Sequence, residues 1–305
     1  MMNFDEMADK LSAHPDFKVK RRLVPILDFG PGSGGPTKRI LILDTETTGL
    51  DWRAENIIEL AMLSVDVDLH TGQPVGVVEV YEDFEDPGRP IPSEIVKLTG
   101  ITDHDVKGQK LNEVKINAMV ERADLIVAHN AGFDRPFVEN RLEVFEHKAW
   151  ACSFAGINWK AQGLGSAKLE FLCSELGWFY DAHRAQVDCH ALLRVLSSNL
   201  KTQPDDLPTS GFLQLLKSAE QARTVVKAFG SPFESKDKLK ARGYRWDAEA
   251  KVWFTAVKSA DALEAEAEWL KTQIYGGRSA RIGLETQDAW VQFSSRSGQS
   301  GDRVL

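Results

Sequence analysis

The sequence predicts an α/β fold, a mixed sheet flanked by helices, followed by a second, smaller α+β domain. Three observations carry this. RILILDTETTGL (39–50) sets Leu41 and Leu43 on one face and Ile40 and Ile42 on the other, so both faces are apolar, as in the middle of a covered sheet. Two more strand-like runs follow, and then strands and helices intermix up to residue 200. A polar, proline-containing stretch, KTQPDDLPTSG (201–211), separates off a shorter run with its own elements.

Residues 2–12 read as a short helix, followed by a basic cluster at Lys18, Lys20, Arg21 and Arg22 and a Gly/Pro-rich loop, FGPGSGGPTK (29–38). Residues 1–37 are therefore expected to be an extension and linker, and 38–200 the first domain. NIIELAMLSVDVD (56–68) and GVVEVYEDFED (76–86) read as strands joined in a hairpin by LHTGQPV. IPSEIVKLTG and NEVKINAMVERA have helical spacing, and DLIVAHN (124–130) is a short buried strand. DRPFVENRLEVF (134–145) reads as a helix with Asp134 at its start and Pro136 in its first turn. SAKLEFLCSELG is a helix closed by Gly177, and AQVDCHALLRVLSSNL (185–200) is the last helix of this domain.

Residues 201–222 are expected to be a linker and 223–295 a small α+β module. TVVKAF reads as a strand, ESKDKLKARG as a basic helix and YRWDAEAKVWFTAV as a hairpin turning at Asp247–Ala250. DALEAEAEWLKTQI is a helix, SARIGLETQDAWVQF adds one or two strands, and 296–305 reads as a frayed tail.

With 305 residues, 43% hydrophobic and 27% charged, the chain has the balance of a globular protein of about two domains, not of a disordered or fibrous one. No apolar run reaches the ~20 residues a membrane span needs, and the N-terminus lacks a signal-like apolar stretch. Cys152, Cys173 and Cys189 form no C-x-x-C pair, which argues against a disulfide framework or a thiolate zinc site; a reducing cytoplasm is expected. The net charge of −8 is uneven. Residues 1–200 carry 21 basic against 31 acidic side chains, and 201–305 carry 16 against 14. The acidic part is expected to meet phosphates only with the help of metal ions.

Asp44 and Glu46 stand two apart on a strand and share the face of Ile40 and Ile42. Asp188 falls on the apolar stripe Ala185–Leu192–Val195–Leu196 of its helix. Asp134 opens a helix next to a strand end marked by Asn130. Taken singly, each has a plain structural account: a loop acid, a paired core acid, an N-cap. Taken together, four converging carboxylates repel one another by several kcal/mol at an effective dielectric of about 20, and two divalent cations would neutralise them. Oxygen donors without thiolates point to Mg²⁺ or Mn²⁺. Such a cation pair clamps the attacking and leaving oxygens of phosphoryl hydrolysis, and His183, five residues before Asp188, is the candidate base.

LDTETTGL (43–50), AHNAGFDRPFVE (128–139) and HRAQVDC (183–189), supported by NIIELA and IPSEIVKLTGITDHDV, resemble the three motifs of the DnaQ-like, DEDDh-type 3′–5′ exonucleases. That family includes the proofreading subunit of bacterial replicative polymerases. The resemblance covers about residues 38–200. It implies a ribonuclease H-like sheet, two metal ions, and release of nucleoside 5′-monophosphates from a 3′ end. By position, Asp44, Glu46, Asp134 and Asp188 would be the metal ligands and His183 the general base. Thr47 would meet the 3′-terminal nucleotide, Leu50 would wedge against its base, and Asn130 would shape the pocket. For Thr47 and Leu50 turn structure and packing remain the alternative. WACS (150–153) departs from the family pattern, away from these residues.

The expected substrate is DNA, single-stranded at its 3′ end, in replication or repair. An RNA-trimming exonuclease, a polymerase-associated proofreading subunit and a non-catalytic nucleic-acid-binding protein are the alternatives. GFLQLLKS (211–218) is a weak candidate for a clamp-binding peptide. In the C-terminal module, Lys236, Lys238, Lys240, Arg242, Arg245 and Lys251 interleave with Phe229, Phe233, Tyr244, Trp246, Trp253 and Phe254. That pattern suits either single-stranded nucleic acid or a small aromatic core with a solvated basic face.

Overall fold

The computed structural model describes residues 3–200 and 209–305. The chain divides between Ser218 and Ala219 into two compact units.

The first unit is built on β1 (Thr37–Thr47), β2 (Ile57–Asp68), β3 (Pro74–Phe84), β4 (Leu125–Ala128) and β5 (Trp150–Cys152), in the spatial order β3-β2-β1-β4-β5. β1 pairs antiparallel with β2 and parallel with β4, so the sheet is mixed and β1 is its centre. Ile40, Leu41, Ile42 and Leu43 are wholly buried, as expected for a strand covered on both faces. The helices are α1 (Ser93–Thr99), α2 (Glu113–Arg122), α3 (Ala131–Arg141), α4 (Leu169–Glu175) and α5 (Ala185–Leu196). α5 lies across β1 and β2 and buries Ala185, Leu192, Val195 and Leu196. β1 and β4 end side by side, and the crevice beyond the carboxyl ends of such strands is where α/β sheets carry their sites.

Several sequence expectations change. The helix after β4 starts at Ala131, not at Asp134. Its N-cap is Asn130, in the left-handed region at φ 74°, so Asp134 sits inside the helix and is buried. Pro136 is therefore in the helix interior, and the helix stops at Arg141 in favour of a 3₁₀ turn, Glu143–His147. The region before residue 38 is also less detached than a linker. Arg21–Arg22 pair in parallel with Trp178–Phe179, Arg22 ion-pairs with Asp181, and Asp28 bridges to Val77 of β3.

The expected linker 201–222 splits. Residues 201–208 lie outside the described residues. Thr209–Ser210 pair with Asn199–Leu200 and lead into helix α6 (Gly211–Ala219), whose Phe212, Leu215 and Leu216 are buried. A clamp-binding peptide needs those side chains free, so GFLQLLKS is a packing helix.

The second unit is an antiparallel sheet of β6 (Arg223–Ala228), β7 (Arg245–Asp247), β8 (Val252–Val257), β9 (Arg281–Gln287) and β10 (Gln299–Val304), ordered β7-β8-β6-β9-β10. Its core joins Val226, Ala228 and Ile282 to Leu239 of α7 (Lys236–Ala241), Ala267 of α8 (Ala260–Trp269), and Leu270 and Ile274 just beyond. The segment read as a frayed tail is the edge strand β10, in register with β9 from Arg281–Val304 to Thr286–Gln299. Its sequence, QSGDRV, lacks the apolar alternation that marks a strand, because at an edge the ladder bonds suffice.

Candidate active site

Asp44 and Glu46 both lie within β1, opposite Ala61 and Glu59 of β2. The pairing shifts by one residue between Glu46 and Thr47, which turns the chain out of the sheet at the mouth of the site. A cleft of about 340 Å³ opens here. Every site residue expected from the sequence lines it: Asp44, Glu46, Asp134, Asp188, His183, Thr47, Leu50 and Asn130.

Carboxylate oxygens of Asp44, Glu46 and Asp188 lie within 4.8 Å of one another, a group able to hold a metal ion. Asp134 faces the same cleft but stands outside that group. Its Oδ1 accepts hydrogen bonds from the Thr45 backbone N–H (3.1 Å) and the Thr45 hydroxyl (2.9 Å). Asp188 is held at both oxygens. The Tyr180 hydroxyl donates to Oδ1 (3.0 Å), and the His183 backbone N–H donates to Oδ2 (2.9 Å). His183 itself is exposed, with φ 67°. Four non-glycine residues among those described have positive φ, and the two in the first unit, Asn130 and His183, both line this cleft. Such conformations persist only where the surroundings impose them.

Electrostatics explain why the cluster needs a partner. Burial first, and then the charges of Asp134, Asp188 and Glu46, push the Asp44 carboxyl well above its usual range. Burial, with Asp188 and Glu59, pushes Glu46 up to about 8, although Arg184 opposes the rise. Burial also raises Asp134 and Asp188, despite the hydrogen bonds each accepts. A divalent cation among these four carboxyls, each forced toward the neutral form, would favour their charged form. The all-oxygen donor set fits a hard divalent ion.

Thr47 is buried and its hydroxyl donates to the Gly49 carbonyl (2.6 Å), which shapes the turn; Leu50 is 85% exposed at the rim. Sequence reasoning missed several lining and supporting residues. Ile95, Leu98 and Thr99 of α1, with Phe133 and Leu169, complete the wall. His129 lines the cleft with both ring nitrogens engaged, by the Ser153 hydroxyl (2.7 Å) and the Ala167 carbonyl (2.8 Å). Burial lowers its pKa to about 4, so the ring is neutral near pH 7. Behind the site, the wholly buried Glu59 accepts from Arg184 and from the Ala185 backbone N–H at the start of α5. Glu59 falls in NIIELA (56–61), one of the segments that support the family resemblance. Tyr180 had no signal in the sequence, since its role depends on the turn before α5.

Residues 41–196, half of the chain, match the RNase_T family model, described as Exonuclease. The chain belongs to this exonuclease family. The RNase_T match begins in β1, ends with α5, and contains all four acids and His183. The mixed five-stranded sheet flanked by helices is the α/β fold class expected from the sequence. Similar proteins include DNA polymerase III PolC-type of Listeria welshimeri (38% identical over 104 residues, 33% of this chain and 7% of that protein). Its counterpart in Halalkalibacterium halodurans is 36% identical over 118 residues, 38% of this chain and 7% of that protein. The RNase_T chain thus spans about 7% of the length of these relatives. Two solved structures are similar at lower overlap. "Exonuclease X in complex with 5′ overhanging duplex DNA" has a TM-score of 0.38 and 23% identity, over 50% of this chain and 86% of that one. A structure of exonuclease I has a TM-score of 0.47 and 17% identity, over 72% and 62%.

Proposed function

We propose that this RNase_T-family exonuclease is a DEDDh-type enzyme that hydrolyses DNA from a single-stranded 3′ end and releases nucleoside 5′-monophosphates. One observation carries the reading: three carboxylates within 4.8 Å, beside a histidine whose own backbone N–H holds one of them. Asp44, Glu46, Asp134 and Asp188 would hold two Mg²⁺ or Mn²⁺ ions. When bound, such ions polarise the scissile phosphate and make water a better nucleophile at neutral pH.

The chain's own residues do the rest. Thr45 pins Asp134, and Tyr180 and the His183 N–H pin Asp188, so the ligand oxygens are oriented before any ion arrives. An imidazole nitrogen of His183 would take the proton of the attacking water at the cleft mouth. Leu50, Thr47 and Asn130 line the place for the terminal nucleotide, with the exposed Leu50 able to lie against its base. The neutral His129 adds no charge to that wall.

A second reading, a proofreading subunit working with a DNA polymerase in the cytoplasm, draws on the similarity to PolC-type polymerases. Co-purification with a replicative polymerase tests it. The primary experiment is digestion of 5′-labelled single- and double-stranded DNA and RNA with Mg²⁺, Mn²⁺ or EDTA. A ladder shortening from the 3′ end of single-stranded DNA, abolished by EDTA, is expected. Faster turnover of RNA would transfer the reading to a trimming exoribonuclease, and no turnover with any divalent ion would end it.

A further inference from the structure

A second concavity lies in the second unit, formed by the loop after β6 and the loop before β9. It has a volume of about 480 Å³ and is lined by Phe229, Pro232, Tyr275, Arg278, Ser279 and Arg281. None of these residues belongs to the family match.

The sequence builds it in a definite way. Gly283 of β9 faces Phe229; a Cβ there would sit 2.7 Å from the ring, so only glycine lets the aromatic ring lie on the sheet. The Arg281 guanidinium lies over the same ring, 5.6 Å from its centroid. The Tyr275 hydroxyl donates to the Phe229 carbonyl (2.7 Å), which ties the two loops together. Gly276 and Gly277 both have positive φ and turn the chain so that Arg278 and Ser279 come to the rim. The Arg278 side chain donates to the Tyr275 carbonyl and has no carboxylate partner among the described residues. Phe233, next in the chain to the lining residue Pro232, is 76% exposed, with the Lys236 ammonium 4.5 Å from its ring centroid. Lys238 ties α7 to the turn beyond α8 through the Gln273 carbonyl.

An exposed aromatic ring with a cation over it, next in the chain to a lining residue of a cavity rimmed by an arginine without a carboxylate, offers a stacking face together with phosphate-binding charge. We propose that this cavity binds single-stranded nucleic acid. A base stacks in the Phe229–Phe233 region, and Arg278 and Lys236 meet the flanking phosphates. An acidic peptide would satisfy the cations but leave the ring faces unused, and a duplex hides its base faces. The choice of ligand class rests in part on the exonuclease reading of the first unit. The consequence is a second hold on the strand, separate from the cleft that acts on its end.

The test uses the full-length chain and a closed circular single-stranded oligonucleotide, in EDTA, followed by fluorescence anisotropy. A circle has no 3′ terminus, so end binding in the cleft plays no part. Hydrolysis of the p-nitrophenyl ester of thymidine 5′-phosphate by the unmodified chain with Mn²⁺ checks the cleft independently. Phe233→Ala is expected to weaken circle binding at least about fivefold. Phe233→Tyr, which keeps the ring face, is expected to retain it. Arg278→Gln is expected to weaken binding and to reduce the slope of log affinity against log salt by about one. Phe233 and Arg278 are exposed, so their replacement leaves the core untouched; unchanged thermal melting verifies this. No circle binding by the unmodified chain, equal affinity for the Ala and Tyr variants, or equal affinity for a closed duplex would each overturn the proposal, whatever the ester assay shows.

Discussion

Arg184 and Glu59 form an ion pair directly behind the acidic cluster, with Nη2 2.9 Å from Oε1. Glu59 is opposite Glu46 in the β1–β2 register and is wholly buried, and its Oε2 also accepts the Ala185 N–H. The pair thus joins β2, the neighbour of the strand that carries Asp44 and Glu46, to the start of the helix that carries Asp188. It also supplies the one nearby positive charge that opposes the rise of Glu46.

Arg184→Ala should therefore cost stability, because it strands a buried carboxylate beside four others. A loss of roughly 3 kcal/mol is expected, read as a lower denaturation midpoint. Glu59→Gln combined with Arg184→Ala should recover part of it. A single variant as stable as the unmodified chain would show that the pair is not an anchor.

The metal-free protein should lose stability as the pH rises. Glu46 is raised to about 8 in the folded state, against an ordinary value near 4.3. The folded chain then holds protons that the unfolded chain releases, so the stabilisation is complete below about pH 4 and is lost as the pH climbs through 8. Asp44, raised by the same burial, acts in the same direction. Thermal melting in EDTA from pH 5 to 9 should show a falling midpoint, and saturating Mn²⁺ should flatten it. A midpoint that rises over that range would contradict the charge assignment.

His183→Ala should lower the rate of phosphodiester hydrolysis by about 10²- to 10⁴-fold, with Mn²⁺ stabilisation retained. The backbone N–H that holds Asp188 survives the substitution, so a purely structural role predicts instead a parallel loss of metal binding. Calorimetric titration with Mn²⁺ separates the two.

Thr45→Val removes the hydroxyl bond to Asp134 while leaving the backbone one. A loss of about 10- to 100-fold in activity or metal affinity is expected from loosening such a support. Thr45→Ser should restore most of it, and a Val variant of full activity would show that the backbone bond is sufficient.

The second unit has its own acid sensitivity. Burial pushes Glu285 up, but hydrogen bonds from Lys227, the Gly298 N–H and Gln287 outweigh it and hold the carboxyl at about 2. A depressed folded value contributes stability above the unfolded pKa, here roughly 3 kcal/mol, which is lost as the pH falls from about 4.5 through 2. Glu285→Gln should flatten the acid limb of unfolding reported by the tryptophans of this unit.

The central strand and the positions of Asp44, Glu46 and Asp188 were legible as local patterns, Thr47 and Leu50 came only through the family resemblance, and the edge strand β5 was not foreseen. Apolar residues on both faces of 39–43 mark a covered strand, and acids placed two apart mark one face of it. The start of the Asp134 helix was misread for an equally local reason. Aspartate is a strong N-cap, and nothing in the chain shows that Thr45, 89 residues away, will take that carboxylate as a partner. Residues 299–304 looked frayed because an edge strand draws its order from a neighbour's ladder bonds, which leave no mark in its own residues.

From the chain alone come the candidate acids and the central strand that carries two of them, since hydrophobic periodicity and residue type are properties of short segments. Only the folded protein decides how those groups are charged and aimed. Burial, the Glu59–Arg184 pair, the Tyr180 and Thr45 hydrogen bonds, and the seating of Phe229 over Gly283 arise between residues distant in sequence. Electrostatic energies depend on distance and solvent exclusion, and both exist only once the chain has closed on itself.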